Sequence, residues 1–262
     1  MSFRSAGFRP AVLGSAVALV FALSAGALMA QDAQPEAAPA AASTAVTPAA
    51  ATTVAPAPVA APTVADALKP GDATAGQAKA AVCGACHGMD GNSTNPQFPK
   101  LAGQSAQYIV RQLNDFKSGK RANPIMSGMA ASLSEQDMHN VGAYFASKTS
   151  VPGVADQALV EHGEKLFRQG DLKRGIPACM ACHSINGRGN PGAIYPQLAG
   201  QHAGYVQATL KAWHDGTKWG DDGRAQIMPS IASKLTGDDI AALASYVEGL
   251  HSTDNPPAAA AP

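Results

Sequence analysis

The 262-residue sequence has four cysteines, and they fall in two copies of one pattern, Cys83-Gly-Ala-Cys86-His87 and Cys179-Met-Ala-Cys182-His183. On a helix, two cysteines three positions apart share a face, and a histidine four positions after the first cysteine lies close to that face. Such a set suits two thioether bonds to the edge of a haem with the imidazole turned under the iron. Cys-x-x-Cys-His is the pattern of c-type haem attachment. Three other chemistries use the same residue types. Disulfides are open to an exported chain, and four cysteines allow three pairings. Zinc held by four cysteines wants its pairs closer than the 92 residues between Cys86 and Cys179. A thioredoxin-like redox pair wants a strand-helix-strand setting. None of these explains why a histidine closes both copies. Two covalently bound haem c groups do, with Cys83, Cys86, Cys179 and Cys182 as attachment points and His87 and His183 as iron ligands.

A haem iron held by one histidine has a second axial position, and the sequence repeat points to its occupant. Phe98-Pro99-Lys-Leu101-Ala-Gly103-Gln104 recurs as Tyr195-Pro196-Gln-Leu198-Ala-Gly200-Gln201, and Ile125-Met126 recurs as Ile227-Met228. Most of the eight methionines are expected to fill gaps in a core. Met126 and Met228 differ from the rest because they occupy the same place in both copies. Met129 aligns with Ile231 and Met138 with Ile240, neither of which carries a ligand atom. His202 and His214 align with Ser105 and Lys117, which disfavours a two-histidine haem in the second copy, while His139, His162 and His251 have no counterpart and are expected to be structural or surface residues. An iron closed by nitrogen below and sulfur above has no site for substrate or dioxygen, and the soft thioether favours the reduced ion. That chemistry is electron transfer without catalysis.

The elements that must hold these ligands read as helices. The first copy has expected segments at Ala73 to Cys86, at Ala106 to Ser118 with Ile109, Leu113 and Phe116 on one stripe, and from Ser134 to Ser147. The second copy has Leu159 to Gly170, Ala203 to Asp215 and Thr236 to Leu250, and neither half shows an alternating strand pattern. The second copy is five residues longer at the turn-rich Trp219-Gly-Asp-Asp-Gly223. The short connection Lys148 to Asp156 predicts that the two units lie against each other. Few aromatics are available for these cores, since three of the 14 fall in the first 21 residues. Domains this poor in large apolar side chains commonly depend on a cofactor, metal or disulfide.

Outside the repeat, residues 1–30 carry Arg4 and Arg9 followed by an uncharged apolar run that ends in small residues. This is a signal peptide, or an N-terminal anchor if uncleaved, and either way the rest of the chain is exported. Residues 31–65 contain 15 Ala and 6 Pro and no aromatic, the composition of a disordered, Pro-stiffened linker. Residues 255–262 read as a loose tail, leaving the two repeat units at 66–152 and 153–254. The balance of 19 Lys and Arg against 19 Asp and Glu fits neither a basic nucleic-acid binder nor an acidic disordered chain.

With both Cys-x-x-Cys-His motifs, both Pro-x-Leu-Ala-Gly-Gln segments and both methionines in order, the chain resembles the dihaem cytochrome c4 family from about residue 72 to residue 250. The resemblance implies an all-α fold of two tandem class I cytochrome c domains. It implies that Pro99 and Pro196 offer backbone carbonyls to the ring NH groups of His87 and His183. Paired terminal helices are implied to cross at Gly76 with Tyr144 and at Gly163 with Tyr246, where glycine permits close packing. By the same resemblance the protein is a periplasmic carrier that takes electrons from a partner such as a quinol-oxidising complex and passes them toward a terminal oxidase. Membrane tethering through the N-terminal segment is compatible with this role. Alternatives are the cytochrome subunit of a periplasmic dehydrogenase and a dihaem peroxidase, the last requiring one iron to open a coordination position.

Overall fold

A computed structural model of the protein describes residues 69–251. The expected signal or anchor segment, linker and tail lie outside the described residues. Among the described residues ten α-helices follow in order, and the only β pairing there is two isolated bridges, Asp171 with Ile176 and Asn190 with Tyr195.

The first half contains α1 (Ala73–Ala80), α2 (Gly84–His87), α3 (Ala106–Lys117), α4 (Pro124–Ala131) and α5 (Glu135–Ala146). The second contains α6 (Gln157–Gln169), α7 (Met180–His183), α8 (Ala203–His214), α9 (Ile227–Ala232) and α10 (Gly237–Gly249). In each half the first and last long helices cross, α1 on α5 and α6 on α10, while α3 and α8 pack against those last helices.

Helix starts are written plainly in the sequence. Asp72, Ser105 and Asp156 each accept a backbone N–H from the first turn of α1, α3 and α6. Ser134 with Asp137 and Thr236 with Asp239 form reciprocal capping boxes at the starts of α5 and α10. At eight residues α1 is too short to persist alone, so its helicity depends on docking against α5. It also ends sooner than its sequence pattern suggests. Cys83 N–H and Gly84 N–H bond back three residues, to Ala80 and Ala81, at 2.9 and 3.2 Å. This tightened turn separates α1 from α2 and redirects the cysteine motif.

Two apolar cores result, one per half. Ile109, Leu113, Phe116, Met138, Val141, Tyr144 and Phe145 build the first, and Leu166, Phe167, Ile176, Leu210, Leu243, Tyr246 and Val247 the second. Phe145 and Phe167 are fully buried, each contributing about 1.5–3 kcal/mol by transfer from water. At the helix crossings a side chain at Gly76 would meet the Asn140 carbonyl oxygen at 2.0 Å and Tyr144 Cβ at 2.9 Å. One at Gly163 would meet the Ala242 oxygen at 2.3 Å and Tyr246 Cβ at 2.6 Å, so the crossings lie where the family resemblance puts them.

The halves also touch, as the short connection requires. His202 Nε2 reaches the Ser93 carbonyl at 2.7 Å, and Arg121 donates to the Tyr205 hydroxyl at 3.0 Å. The Trp219 to Gly223 insertion is a clasp rather than a free turn. Arg121 stacks over the Trp219 ring at 3.4 Å, and Arg111 pairs with Asp222 at 3.0 Å.

Candidate functional site

Both histidines of the repeated motif close a four-residue helix, α2 or α7, and both are buried, with 6% of their surface exposed. His87 Nδ1 lies 2.8 Å from the Pro99 carbonyl oxygen, and His183 Nδ1 lies 2.9 Å from that of Pro196. A carbonyl can only accept, so Nδ1 carries the proton in both rings and Nε2 is left with a free lone pair. Burial pushes both imidazoles below the ordinary histidine range, against a smaller opposing pull from the proline carbonyls. Each ring is therefore neutral and oriented, as a metal-binding imidazole must be.

The carbonyl is held in place by backbone geometry after each motif. The Gly91 oxygen accepts from Leu101 N–H at 2.7 Å and Ala102 N–H at 3.1 Å, and the Gly187 oxygen accepts from Leu198 and Ala199 at 2.7 and 3.0 Å. Both glycines sit at positive φ, 82° and 70°. A Cβ at Gly91 would come within 2.6 Å of the Ala102 nitrogen, so glycine is required on both steric and conformational grounds. The same loop is tied to the last helix of its half through Gly103 N–H to the Phe145 oxygen and Gly200 N–H to the Val247 oxygen, at 3.0 and 2.9 Å.

All four cysteines are half-buried, and no disulfide joins any two of them. Before attachment, burial pushes the Cys83 thiol up and raises that of Cys179 to about 11. Cys83 packs against the first core and Cys179 against the second, which places the two motifs in separate halves rather than in one four-cysteine cluster. Among the described residues no group of three or more His, Cys, Asp and Glu side chains gathers to hold a metal ion. A porphyrin brings four nitrogen donors of its own, so one buried, oriented imidazole beside a cysteine pair is enough protein to receive it. The residues present fit a haem in each half.

Met126 and Met228 sit on α4 and α9, and both side chains pack, partly buried, against the core that also receives the first cysteine of their own half. Neither short helix stands out by periodicity in the sequence. The available signal for α4 was Asn123-Pro124, an N-cap that accepts Met126 N–H at 3.0 Å followed by proline in the first turn. The rival histidines have other partners. His162 bonds Asp239 at 2.8 Å, His214 the Ala232 oxygen at 3.0 Å, and His202 the Ser93 oxygen across the interface. Asp239 is 2% exposed. Burial would raise its carboxyl, but Arg174, the Thr236 backbone and His162 together hold it well below the usual carboxylate range.

Residues 73–148 and 160–251 each match the cytochrome c family. Cytochrome c4 of Pseudomonas aeruginosa is 54% identical over 181 residues, which span 69% of this chain and 90% of that protein. A thiosulfate dehydrogenase electron acceptor of Stutzerimonas stutzeri is 40% identical over 171 residues, 64% of this chain and 78% of the other. Among solved structures, reduced recombinant cytochrome c4 from Pseudomonas stutzeri superposes with a TM-score of 0.66 at 49% identity, covering 69% of this chain and all of that one.

Proposed function

We propose that this chain, which belongs to the cytochrome c family and within it to the dihaem cytochromes c4, carries single electrons through the periplasm from a quinol-oxidising complex toward a terminal oxidase. It is an electron-transfer protein rather than an enzyme, and it carries two covalently bound haem c groups. The observation behind the proposed role is the duplicated buried imidazole, neutral, fixed by a proline carbonyl and presenting Nε2, in a half that also packs a matched methionine on its core.

The residue roles follow from those positions. Cys83 and Cys86 would hold one group through thioethers, and Cys179 and Cys182 the other. A haem in the first half would be held by His87 and Met126, and one in the second by His183 and Met228. The bound haem supplies reversible one-electron exchange at iron, tuned upward in potential by the soft methionine sulfur. The Pro99 and Pro196 carbonyls keep each ring in the donor tautomer and stop it rotating between oxidation states. Cys83 and Met126 pack on one core, and Cys179 and Met228 on the other, so each half brings its attachment and ligand side chains to one apolar surface. A haem held by both a histidine and a methionine would offer no position for substrate.

Export follows from the N-terminal segment, and no helix among the described residues is long and apolar enough to cross a membrane. Rapid-mixing kinetics test the proposed direction of flow. The reduced protein should be oxidised by a haem-copper oxidase and re-reduced by a quinol-oxidising complex, both within the turnover time of those enzymes. Failure with both removes the role. A second reading, electron acceptor for a periplasmic dehydrogenase, is favoured by the 40% identical acceptor of thiosulfate dehydrogenase. A dehydrogenase co-purifying in fixed stoichiometry with the native protein would select it.

A further inference from the structure

Behind each proline carbonyl is a contact that crosses between the halves. The Pro99 carbonyl and the Lys100 N–H belong to one planar peptide group. Its oxygen accepts from His87 of the first half at 2.8 Å, while its N–H donates to Gln201 Oε1 of the second half at 2.8 Å. The repeat reproduces this in mirror fashion. The Pro196 carbonyl accepts from His183 at 2.9 Å, and the Gln197 N–H of the same peptide donates to Gln104 Oε1 of the first half at 2.9 Å.

Both glutamine amides are pinned. Gln201 Nε2 donates to the Lys100 carbonyl at 2.9 Å, and Gln104 Nε2 to the Gln197 carbonyl at 3.1 Å. Each Oε1 also accepts the N–H of the next residue, Ser105 at 3.1 Å or His202 at 3.0 Å. Two N–H donors on one atom and a carbonyl on the other fix which is oxygen, so the amide cannot be turned around. Gln104 is 6% exposed and Gln201 8%, leaving little water to compete.

We infer that Gln104 and Gln201 are crossed positioning residues, each tuning the iron-ligand strength of the histidine in the opposite half through the shared peptide group. The inference rests on the His87 and His183 ligand assignment above. The physical cause is hydrogen-bond cooperativity. An acceptor on a peptide N–H polarises the group and makes its carbonyl a better acceptor, by about 10–30% per bond. A better carbonyl draws the Nδ1 proton further from the ring, and the more basic imidazole stabilises ferric over ferrous iron. Each glutamine thus lowers the potential of the haem it does not belong to, and the two halves are coupled through two short paths, His-Pro-peptide-Gln, running in opposite directions.

The test is Gln201→Leu and its mirror Gln104→Leu in the full haem-loaded chain, with each haem potential resolved by redox titration under NMR. In Gln201→Leu the His87 haem should shift toward the reduced form by about threefold in oxidised-to-reduced ratio, about 28 mV upward, while the His183 haem holds. In Gln104→Leu the two haems exchange roles. If the glutamines serve only to hold the halves together, loosening admits water, stabilises the ferric charge and lowers both potentials, an outcome that overturns the inference, as would no change. Should the leucine variants fail to fold, Gln201→Glu keeps size and acceptor oxygen. It should move the His87 Nδ1–H resonance downfield and leave that of His183 in place, and equal movement of both contradicts the crossed assignment. The wild-type spectrum separates the two layers of reasoning. A His87 ring proton that ignores the iron's oxidation state defeats the ligand assignment itself. One that follows the iron but ignores Gln201 defeats only the crossed tuning.

Discussion

Replacing Gly163 by alanine should destabilise the protein although alanine is the better helix former. Gly163 lies mid-helix in α6, and an added Cβ would sit 2.3 Å from the Ala242 carbonyl oxygen, 2.6 Å from Tyr246 Cβ and 2.9 Å from the Ala242 carbonyl carbon of α10. None of these atoms is the free end of a flexible side chain, so relief requires α6 and α10 to part by about 1 Å, a gap that forfeits a quarter to a half of the dispersion energy across it. Overpacking of this kind costs about 1–3 kcal/mol, and rigid neighbours put the present case at the upper end. Removing glycine from a helix interior returns about 1 kcal/mol. The net loss is about 2 kcal/mol, or about 4–8 °C in Tm if the halves unfold together. Thermal unfolding of the oxidised protein by far-UV circular dichroism measures it. Gly237→Ala is the control, because at the start of α10 a new Cβ meets nothing within 4 Å, so Tm should hold or rise slightly. An unchanged or raised Tm in Gly163→Ala would refute the close-crossing argument.

Met126→Ala or Met228→Ala should lower the potential of the haem in its own half by at least about tenfold in oxidised-to-reduced ratio, about 59 mV, and let the reduced iron bind carbon monoxide. An unaltered titration without ligand binding in both variants would remove the methionine assignment. Asp239→Asn should cost about 2–3 kcal/mol at neutral pH, since the buried carboxylate accepts from Arg174 at 2.6 Å and lies 2.8 Å from His162. The folded-state carboxyl titrates below its unfolded value near 3.9, so this contribution is full above that pH and lost as pH falls through the depressed folded value. Chemical denaturation should therefore show wild type and variant converging in acid, and a constant gap down to the acid transition would contradict the ion-pair explanation. Arg121→Ala removes the guanidinium stacked on Trp219 and bonded to Tyr205, at about 2 kcal/mol, and calorimetry should show unfolding that is less cooperative between the halves. A single transition at unchanged temperature would mean the clasp contributes nothing.

Local chemistry and the internal repeat singled out the cysteines, histidines and methionines as candidates from sequence alone. Each is a single residue duplicated at a matching place, and so are the capping residues Ser134 and Thr236, whose capping the structure shows. Helices α4 and α9 were not legible. Pro124-Ile-Met-Ser-Gly-Met-Ala-Ala offers small residues and no apolar stripe, and the helix exists because it packs on α3. The break between α1 and α2 escaped for a related reason, because three-residue hydrogen bonds leave no mark on composition. Gln104 and Gln201 stood in the repeat as plainly as Pro99 and Pro196, yet their partners lie 93 and 101 residues away. A contact set by how two halves dock has no periodicity to betray it. The Trp219 to Gly223 insertion likewise reads as a turn until Arg111 and Arg121 of the other half come into view.

The most direct test is a haem count on the purified, exported polypeptide, combined with the reduced-state spectrum in the presence and absence of carbon monoxide. Two covalently attached haems per chain, both low-spin and both indifferent to carbon monoxide, are the expected result. One haem or none, or a reduced spectrum that changes when carbon monoxide is added, would contradict two closed His/Met irons.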